Sequence, residues 1–530
     1  MTTRMKLRRD TAANWTSVNP VLGSGEEGFE TDTRKRKVGD GTTAWTSLTY
    51  DTASAPVQSV AGRSGAVVLT KTDVGLPLVD NTADTAKPVS TATQTALDAK
   101  APRGNANPAA LGTATALAHG RSACIQLVGD STGDATDEWF ALLGQTLATA
   151  YDANCIWRKW DDTAQSYGDS RTTLATGAAG ERHAVLAAAS LQYTATAITG
   201  DLDIVAKIRP TSWASGATQI VAARYETTGN QRGFFFQVNT SGKLSLTWST
   251  DGTSGTAVTV TSTTSVPFSN GTDGWVRATL DVDNGSSGRT VTFYTSTDGV
   301  TWTGLDSPFI AAGVTSIHAS TAPYQVGSYG TAITTPLSGR VYWVEIRNAI
   351  GGQTVVPPLM DDWEQASSSL TDTITWGGAP TILLLCGSQS GQNITYFDNA
   401  TRRPKLLAQH GQKLLILSTG QNDSSAAATF VAAYSTWVTN VKAAVSGVPI
   451  LCLTQNPVTT PMSVGSAQIR AARGVALMTW VASQNAGLYG LDTYPAFTNL
   501  ATQLNVDGQH PNATGSALWA AYVYDRVFRR

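Results

Sequence analysis

Four runs of almost unbroken apolar residues constrain this chain most: CIQLV at 124–128, ILLLC at 382–386, LLILS at 414–418 and ILCL at 450–453. A strand that is apolar on both faces must be covered on both faces, which calls for a sheet packed between helices. Helical spacing comes after these runs. Phe140, Leu143 and Leu147 fall on one face, as do Phe430, Tyr434, Val438, Val441 and Val445, and Leu477, Trp480 and Val481. Buried strands alternating with such helices predict a parallel α/β sheet. Between about 184 and 356 the texture changes to short alternating segments, such as GFFFQVNTSGKLSLTWST and GRVYWVEIRN, separated by Gly, Ser, Asn and Asp. That pattern predicts an antiparallel β-sandwich. Apolar runs lie on both sides of this block, so the sandwich reads as an insertion into one α/β sheet. It is expected to be separable, because inserted domains enter at surface loops with their chain ends close together.

Bulk properties narrow the function. The 530 residues exceed what one core supports, and the net charge of −2 offers no global field for nucleic acid. Only 14% of residues are charged, against about 25% in ordinary soluble domains, a bias that suits an extended or β-rich extracellular protein. The basic cluster Arg34 to Lys37 reads as a solvated hairpin. The N-terminal MTTRMKLRRDTAANW has no apolar core of a signal peptide, and no run approaches the ~18 residues of a membrane span. Cys124, Cys155, Cys386 and Cys452 sit in apolar runs at spacings that fit no metal or redox motif, so they read as buried thiols.

Ligands of open α/β sheets bind beyond the carboxyl ends of the strands, so the residues just after each run carry the chemistry. CIQLV leads into Gly129-Asp130-Ser131-Thr132-Gly133, ILLLC into GSQSGQNITYF, and LLILS into Thr-Gly420-Gln-Asn422-Asp423. Near the end of the chain, NVDGQHPNATGSALW places Asp507 three residues before His510, at a turn before a helix. Ser131 is placed to attack an acyl carbonyl, His510 to take its proton and Asp507 to hold the imidazole. Asp130 and Asp423 read as loop hydrogen-bonders, and Ser388 and Ser390 as loop hydroxyls. His119, His183, His318 and His410 lack such partners and read as structural or solvated.

These motifs resemble the SGNH (GDSL-type) hydrolases: GDST matches the first block, SGQNIT the second, GQND the third and DGQHP the fifth. The resemblance covers 121–183 and 357–530. It implies a flavodoxin-like three-layer α/β fold and serine esterase activity with no cofactor or metal. It also implies an oxyanion hole from the amides of Ser131 and Gly391 and the side chain of Asn422, with Gly387 the alternative to Gly391. Ser131's amide, opening a helix, is expected to gain from the helix dipole. The G-x-S-x-G stretch also fits the elbow of α/β-hydrolases, but there several strands precede the serine, whereas here Ser131 comes after the first. The inserted block at 184–356 resembles a concanavalin-A or laminin-G-like jelly roll in GWVRATLDVDNG and TFYTSTDGVTWT.

Upstream, residues 1–55 read as a small β-meander. In RRDTAANW, VGDGTTAW and SLTY they resemble the N-terminal module of phage tail and tropism-determinant proteins. SVAGRSG, DVGL and the stretch from Asp80-Asn81-Thr82 to Lys87-Pro88-Val89-Ser90 resemble a tail-fibre repeat within 56–120, of which 101–120 reads as a linker. These resemblances imply a homotrimer in the virion, partnered by other tail or baseplate proteins and by host cell-surface polysaccharide or glycolipid. The expected work is removal of acyl groups, such as O-acetyl, from a host glycan. The alternatives are an esterase of acylated envelope lipids, or a binding fibre whose hydrolase fold is a relic.

Overall fold

The computed structural model describes residues 7–51, a few positions between 59 and 70, and 107–529 apart from 188, 359, 360, 362, 368–373, 409, 485 and 486. The fibre-like repeat expected at 57–100 falls almost wholly outside the described residues. The chain divides into two units, Met1–Leu97 and Asp98–Arg530.

In the first unit, strands Arg8–Asp10, Glu27–Glu30 and Arg36–Val38 form one sheet in that order. The first pair is parallel and the second antiparallel, so the segment is not the meander expected. The parallel step needs a crossover, and helix Ala12–Val18 supplies it, capped by the Thr11 side chain. Trp15 from this helix stacks on Trp45 at 4.1 Å and, with Leu22, makes the small core. The basic cluster does enter a hairpin, but Lys37 is not solvated. Its ammonium donates to the Trp45 carbonyl at 2.8 Å and lies over the Trp45 and Tyr50 rings.

In the second unit the four apolar runs are strands of one seven-stranded sheet. Its order is Leu488–Leu491, Ile450–Leu453, Gln412–Ser418, Ala123–Gly129, Thr381–Cys386, Asn154–Lys159 and Thr172–Ala175. All pairs are parallel except the last, an antiparallel edge. Side chains alternate across each strand. Ile125 and Leu127 pack with Trp139, Phe140, Leu143 and Trp519 on one side, while Cys124 and Val128 face Phe430, Tyr434 and Trp437 on the other. All four cysteines are buried and free. One expectation fails at the start of this unit. Residues 107–118 are no linker but a 3-10 turn and a helix, Leu111–Ala118, whose Ala109, Ala110 and Leu117 join the sheet's core. Asn107 caps the turn through its side chain, and small alanines let the helix approach closely.

The sandwich has one seven-stranded and one nine-stranded sheet, antiparallel throughout, around a core that includes Phe234, Phe236, Trp248 and Phe293. It runs from His183 to Gly377, because Glu364–Ser367 and Thr375–Gly377 pair with its strands. The chain therefore re-enters the α/β sheet at Thr381 rather than 357.

The sandwich is also docked, contrary to the expectation that it is separable. On strands Leu202–Pro210, Gly274–Asp281 and Gly339–Asn348 one set of residues fills its core. The alternate set (Asp203, Val205, Arg277, Trp343, Glu345, Arg347) meets the α/β layer. Arg158, on an α/β strand, contacts both Glu345 oxygens at 3.1 Å. Arg347 reaches Glu345 at 2.9 Å and Asp169 at 2.7 Å, and Arg277 reaches Asp203 at 2.8 Å and Asp169 at 3.0 Å. Arg158, Arg347, Asp203 and Glu345 are each at most 1% exposed.

Candidate active site

The sheet changes direction around strand Ala123–Gly129. The chain goes first to one side, to Asn154–Lys159, and later to the other, to Gln412–Ser418 and beyond. Such a switch point leaves a crevice at the carboxyl ends. Ser131, Asn422 and the Ser390-Gly391 turn emerge there. Gly129 permits the closest approach, since a Cβ on it would lie 2.5 Å from the Ser418 carbonyl oxygen.

Ser131 Oγ lies 2.8 Å from His510 Nε2, and His510 Nδ1 lies 2.6 Å from Asp507 Oδ2. A carboxylate only accepts, so Nδ1 carries the proton and Nε2 offers its lone pair to the serine hydroxyl. Asp507 Oδ1 accepts the amides of Gln509 at 2.9 Å and His510 at 3.0 Å. Burial pushes the Asp507 carboxyl up, but the His510 ring and these two amides outweigh it and hold it below the usual range. The loop bearing both residues folds tightly through Gly508 (φ +66°), where a Cβ would strike the Thr459 carbonyl at 2.3 Å.

The expected oxyanion donors come from adjoining loops. Asn422 Nδ2 donates to the Gln392 carbonyl at 2.9 Å, which joins the third-block loop to the turn holding Gly391. The amides of Ser131 and Gly391 have no acceptor among the described residues. Gly387 is not a free alternative, since its amide donates to Leu127 O at 2.7 Å. The helix-dipole expectation for Ser131 fails. Turns occupy 131–138 and the helix begins only at Trp139, too far for a terminal effect that fades within a turn.

Asp130 is fully buried and accepts the Gln421 amide at 3.0 Å and the Thr132 hydroxyl at 3.0 Å. Burial pushes its carboxyl up to about 6, opposed by these bonds. Asp423, also raised by burial, packs beside Arg473 behind the site. Ser388 is buried and Ser390 exposed, neither with an imidazole partner among the described residues. His410 is buried against Tyr167, and burial lowers it to about 3. His119 and His183 meet backbone carbonyls, and His318 is only partly exposed. Among the described residues no cluster could hold a metal ion.

Sequence reading missed Gln421 and Asn456. Gln421 Nε2 reaches Asn456 Oδ1 at 2.9 Å and the Gln509 carbonyl at 3.2 Å, and Asn456 Nδ2 reaches that same carbonyl at 2.7 Å. Gln421 therefore ties the Ser131 loop, through Asp130, to the loop that carries His510. The signal was present, since Gln455-Asn456 comes just after ILCL, as the other loops come after their strands. Gln421→Leu is expected to lower kcat by roughly 10–100-fold with KM little changed, because sub-ångström drift of the base is costly. Steady-state kinetics beside thermal melting check this. A lowered Tm with unaltered kcat would leave Gln421 a merely structural role.

Residues 5–43 match the family model described as the major tropism determinant N-terminal domain. No curated relative matches the chain. Among solved structures, one described as a peptidoglycan O-acetylesterase is 13% identical over 80% of this chain and 96% of its own, at a TM-score of 0.33. A family 3 carbohydrate esterase from Talaromyces cellulolyticus is 17% identical over 30% of this chain and 76% of its own, at 0.24. The CBM40 of a Ruminococcus gnavus sialidase, bound to α2,3-sialyllactose, is 11% identical over 32% of this chain and 90% of its own, at 0.25. Among the described residues no helix is long and apolar enough to cross a membrane.

Proposed function

We propose that the chain is a phage tail protein carrying an SGNH-type serine esterase that removes acyl groups, O-acetyl among them, from a host cell-surface glycan. One observation carries the catalytic part: the Ser131, His510 and Asp507 contacts of 2.8 and 2.6 Å at the switch point of a parallel sheet. In this reading Ser131 attacks the ester carbonyl while His510 Nε2 takes its proton. The amides of Ser131 and Gly391 and the Asn422 amide group receive the oxyanion, and His510 then returns the proton to the leaving alcohol. A short-chain chromogenic ester tests the activity, and released acetate from a panel of acetylated surface polysaccharides tests the substrate class. Asn422→Ala is expected to lower kcat by about 10²–10³ with KM almost unchanged, since an oxyanion donor acts in the transition state. A rise in KM alone would make Asn422 a substrate-binding residue.

The tail assignment is supported by the match over residues 5–43, and the chain is proposed to sit in the virion with other tail or baseplate proteins as partners. The sandwich is proposed to hold the polymer. The full chain is proposed to be a trimer assembled through its first hundred or so residues, and light scattering at micromolar concentration checks this, a monomer counting against it.

A further inference from the structure

A cavity of about 240 Å³ lies where the chain enters and leaves the sandwich. Ser122, Asn154 and Thr381, which line it, stand at the amino ends of their strands, so it opens on the edge of the sheet opposite Ser131. Three cations line it, and two are matched. Lys207 pairs with Glu181 and with Asp273 at 3.0 Å, and Arg182 pairs with Asp361 at 2.7 Å.

Arg171 is the third, and it contacts no carboxylate among the described residues. Its guanidinium lies 4.1 Å from the Trp275 ring centre and 4.7 Å from that of Trp343. Its hydrogen bonds go to backbone carbonyls, Gly299 at 2.9 Å and Asp169 at 3.5 Å. The ionic network behind it offers no spare charge, since Arg158, Arg277 and Arg347 already face Asp169, Asp203 and Glu345. Asp298, also on the wall, is occupied by its own turn, accepting the amides of Val300 and Thr301 and the Ser296 hydroxyl. Burial, then repulsion from Arg158, lowers the Arg171 pKa to about 10. A poorly hydrated guanidinium with open donors is matched best by a carboxylate, which it can grip with two parallel hydrogen bonds.

The remaining walls favour a sugar as the carrier of that carboxylate. Half-buried Tyr342 and Trp376 supply flat rings, each with a paired cation of the cavity over one face (Lys207 and Arg182), and Thr173 and Thr176 supply hydroxyls. The volume is below the roughly 300 Å³ where sites for drug-sized ligands begin, which suits one ring rather than a peptide. We propose that this cavity binds an acidic sugar residue, with Arg171 taking its carboxylate. The choice of a sugar over another carboxylate rests on the proposed action on a glycan, whereas the role of Arg171 does not.

The test is calorimetry on the full chain with a uronic-acid trisaccharide and its carboxyl-reduced counterpart. The acidic sugar is expected to bind and the reduced one to bind at least tenfold more weakly. Arg171→Gln is expected to lose at least tenfold in affinity for the acid, and Arg171→Lys part of that. Hydrolysis of a small chromogenic ester should be unchanged in both. Equal affinity for the two sugars, or undiminished binding by a folded Arg171→Gln protein, would overturn the site. Propionate binding as tightly as the trisaccharide would overturn the sugar assignment. If Arg171→Gln unfolds, Arg171→Lys keeps the test on Arg171, and the wild-type comparison still decides whether the acid is preferred. It also involves no turnover, so an inactive Ser131 centre and an empty Arg171 cavity give separate results.

Discussion

Replacing Ser131 by alanine is expected to cut turnover of a small ester by at least about 10⁴-fold, while the protein melts at its usual temperature and still binds glycan. The size comes from the chemistry, because without the hydroxyl His510 has no nucleophile to activate and only oxyanion stabilisation and binding remain. The fold should not notice. Ser131 is half-exposed in a turn, its Oγ reaches His510, and the bonds that hold the loop belong to Asp130 and Thr132. Stopped-time assays on purified protein check the first half and thermal melting the second. Near-normal turnover would remove Ser131 from the mechanism and, with it, the esterase reading built on the 2.8 Å contact.

The second large effect is on stability. Glu345→Gln is expected to cost roughly 3–5 kcal/mol, because it leaves buried Arg158 without a carboxylate partner among the described residues and removes one of the three that face Arg347. Burial works to raise the Glu345 pKa, but Arg158 and Arg347 overcome it and hold it well below the usual value. A carboxylate depressed in the folded state contributes stability in full above its unfolded pKa, and loses it as pH falls through the folded one. The gap between wild type and variant in urea denaturation should therefore be constant near neutrality and close only in acid. Equal stability at neutral pH would mean that the network is energetically idle. The same network predicts that replacing the sandwich with a Gly/Ser linker exposes Arg158 and apolar surface of the α/β layer, and leaves that layer poorly folded.

Much of the candidate site was legible because strand ends in a parallel sheet have one meaning. An apolar run with a turn rich in Gly, Ser, Asn or His after it marks the binding edge whatever lies between the runs. Ser131 and Asn422 were found in this way, Asp507 and His510 from their spacing at a turn before a helix, and Gln421 lies between two residues that were read. The docking face was not legible. Along LDIVAKIRP and GRVYWVEIRN, period-two alternation shows that Asp203, Lys207, Glu345 and Arg347 leave the sandwich core, and charge on such a face ordinarily means water. Nothing local distinguishes a solvated face from one neutralised by residues such as Arg158 and Asp169 in a distant segment. Helix Leu111–Ala118 was hidden for a related reason. Its alanines bury well but carry too little apolar contrast to mark a face.

The order of strands along the chain has a consequence for synthesis. Among the described residues, strand Ala123–Gly129 pairs only with Thr381–Cys386 and Gln412–Ser418, both made after the whole sandwich. A growing chain therefore carries the central, fully buried strand of this sheet without neighbours while the sandwich, whose contacts are more local, completes itself. Late pairing of this kind slows folding and prolongs exposure of sticky surface. It also means that the proposed triad cannot assemble until His510 leaves the ribosome, while a fragment ending soon after Gly377 would carry the sandwich without Asn422, Asp507 or His510.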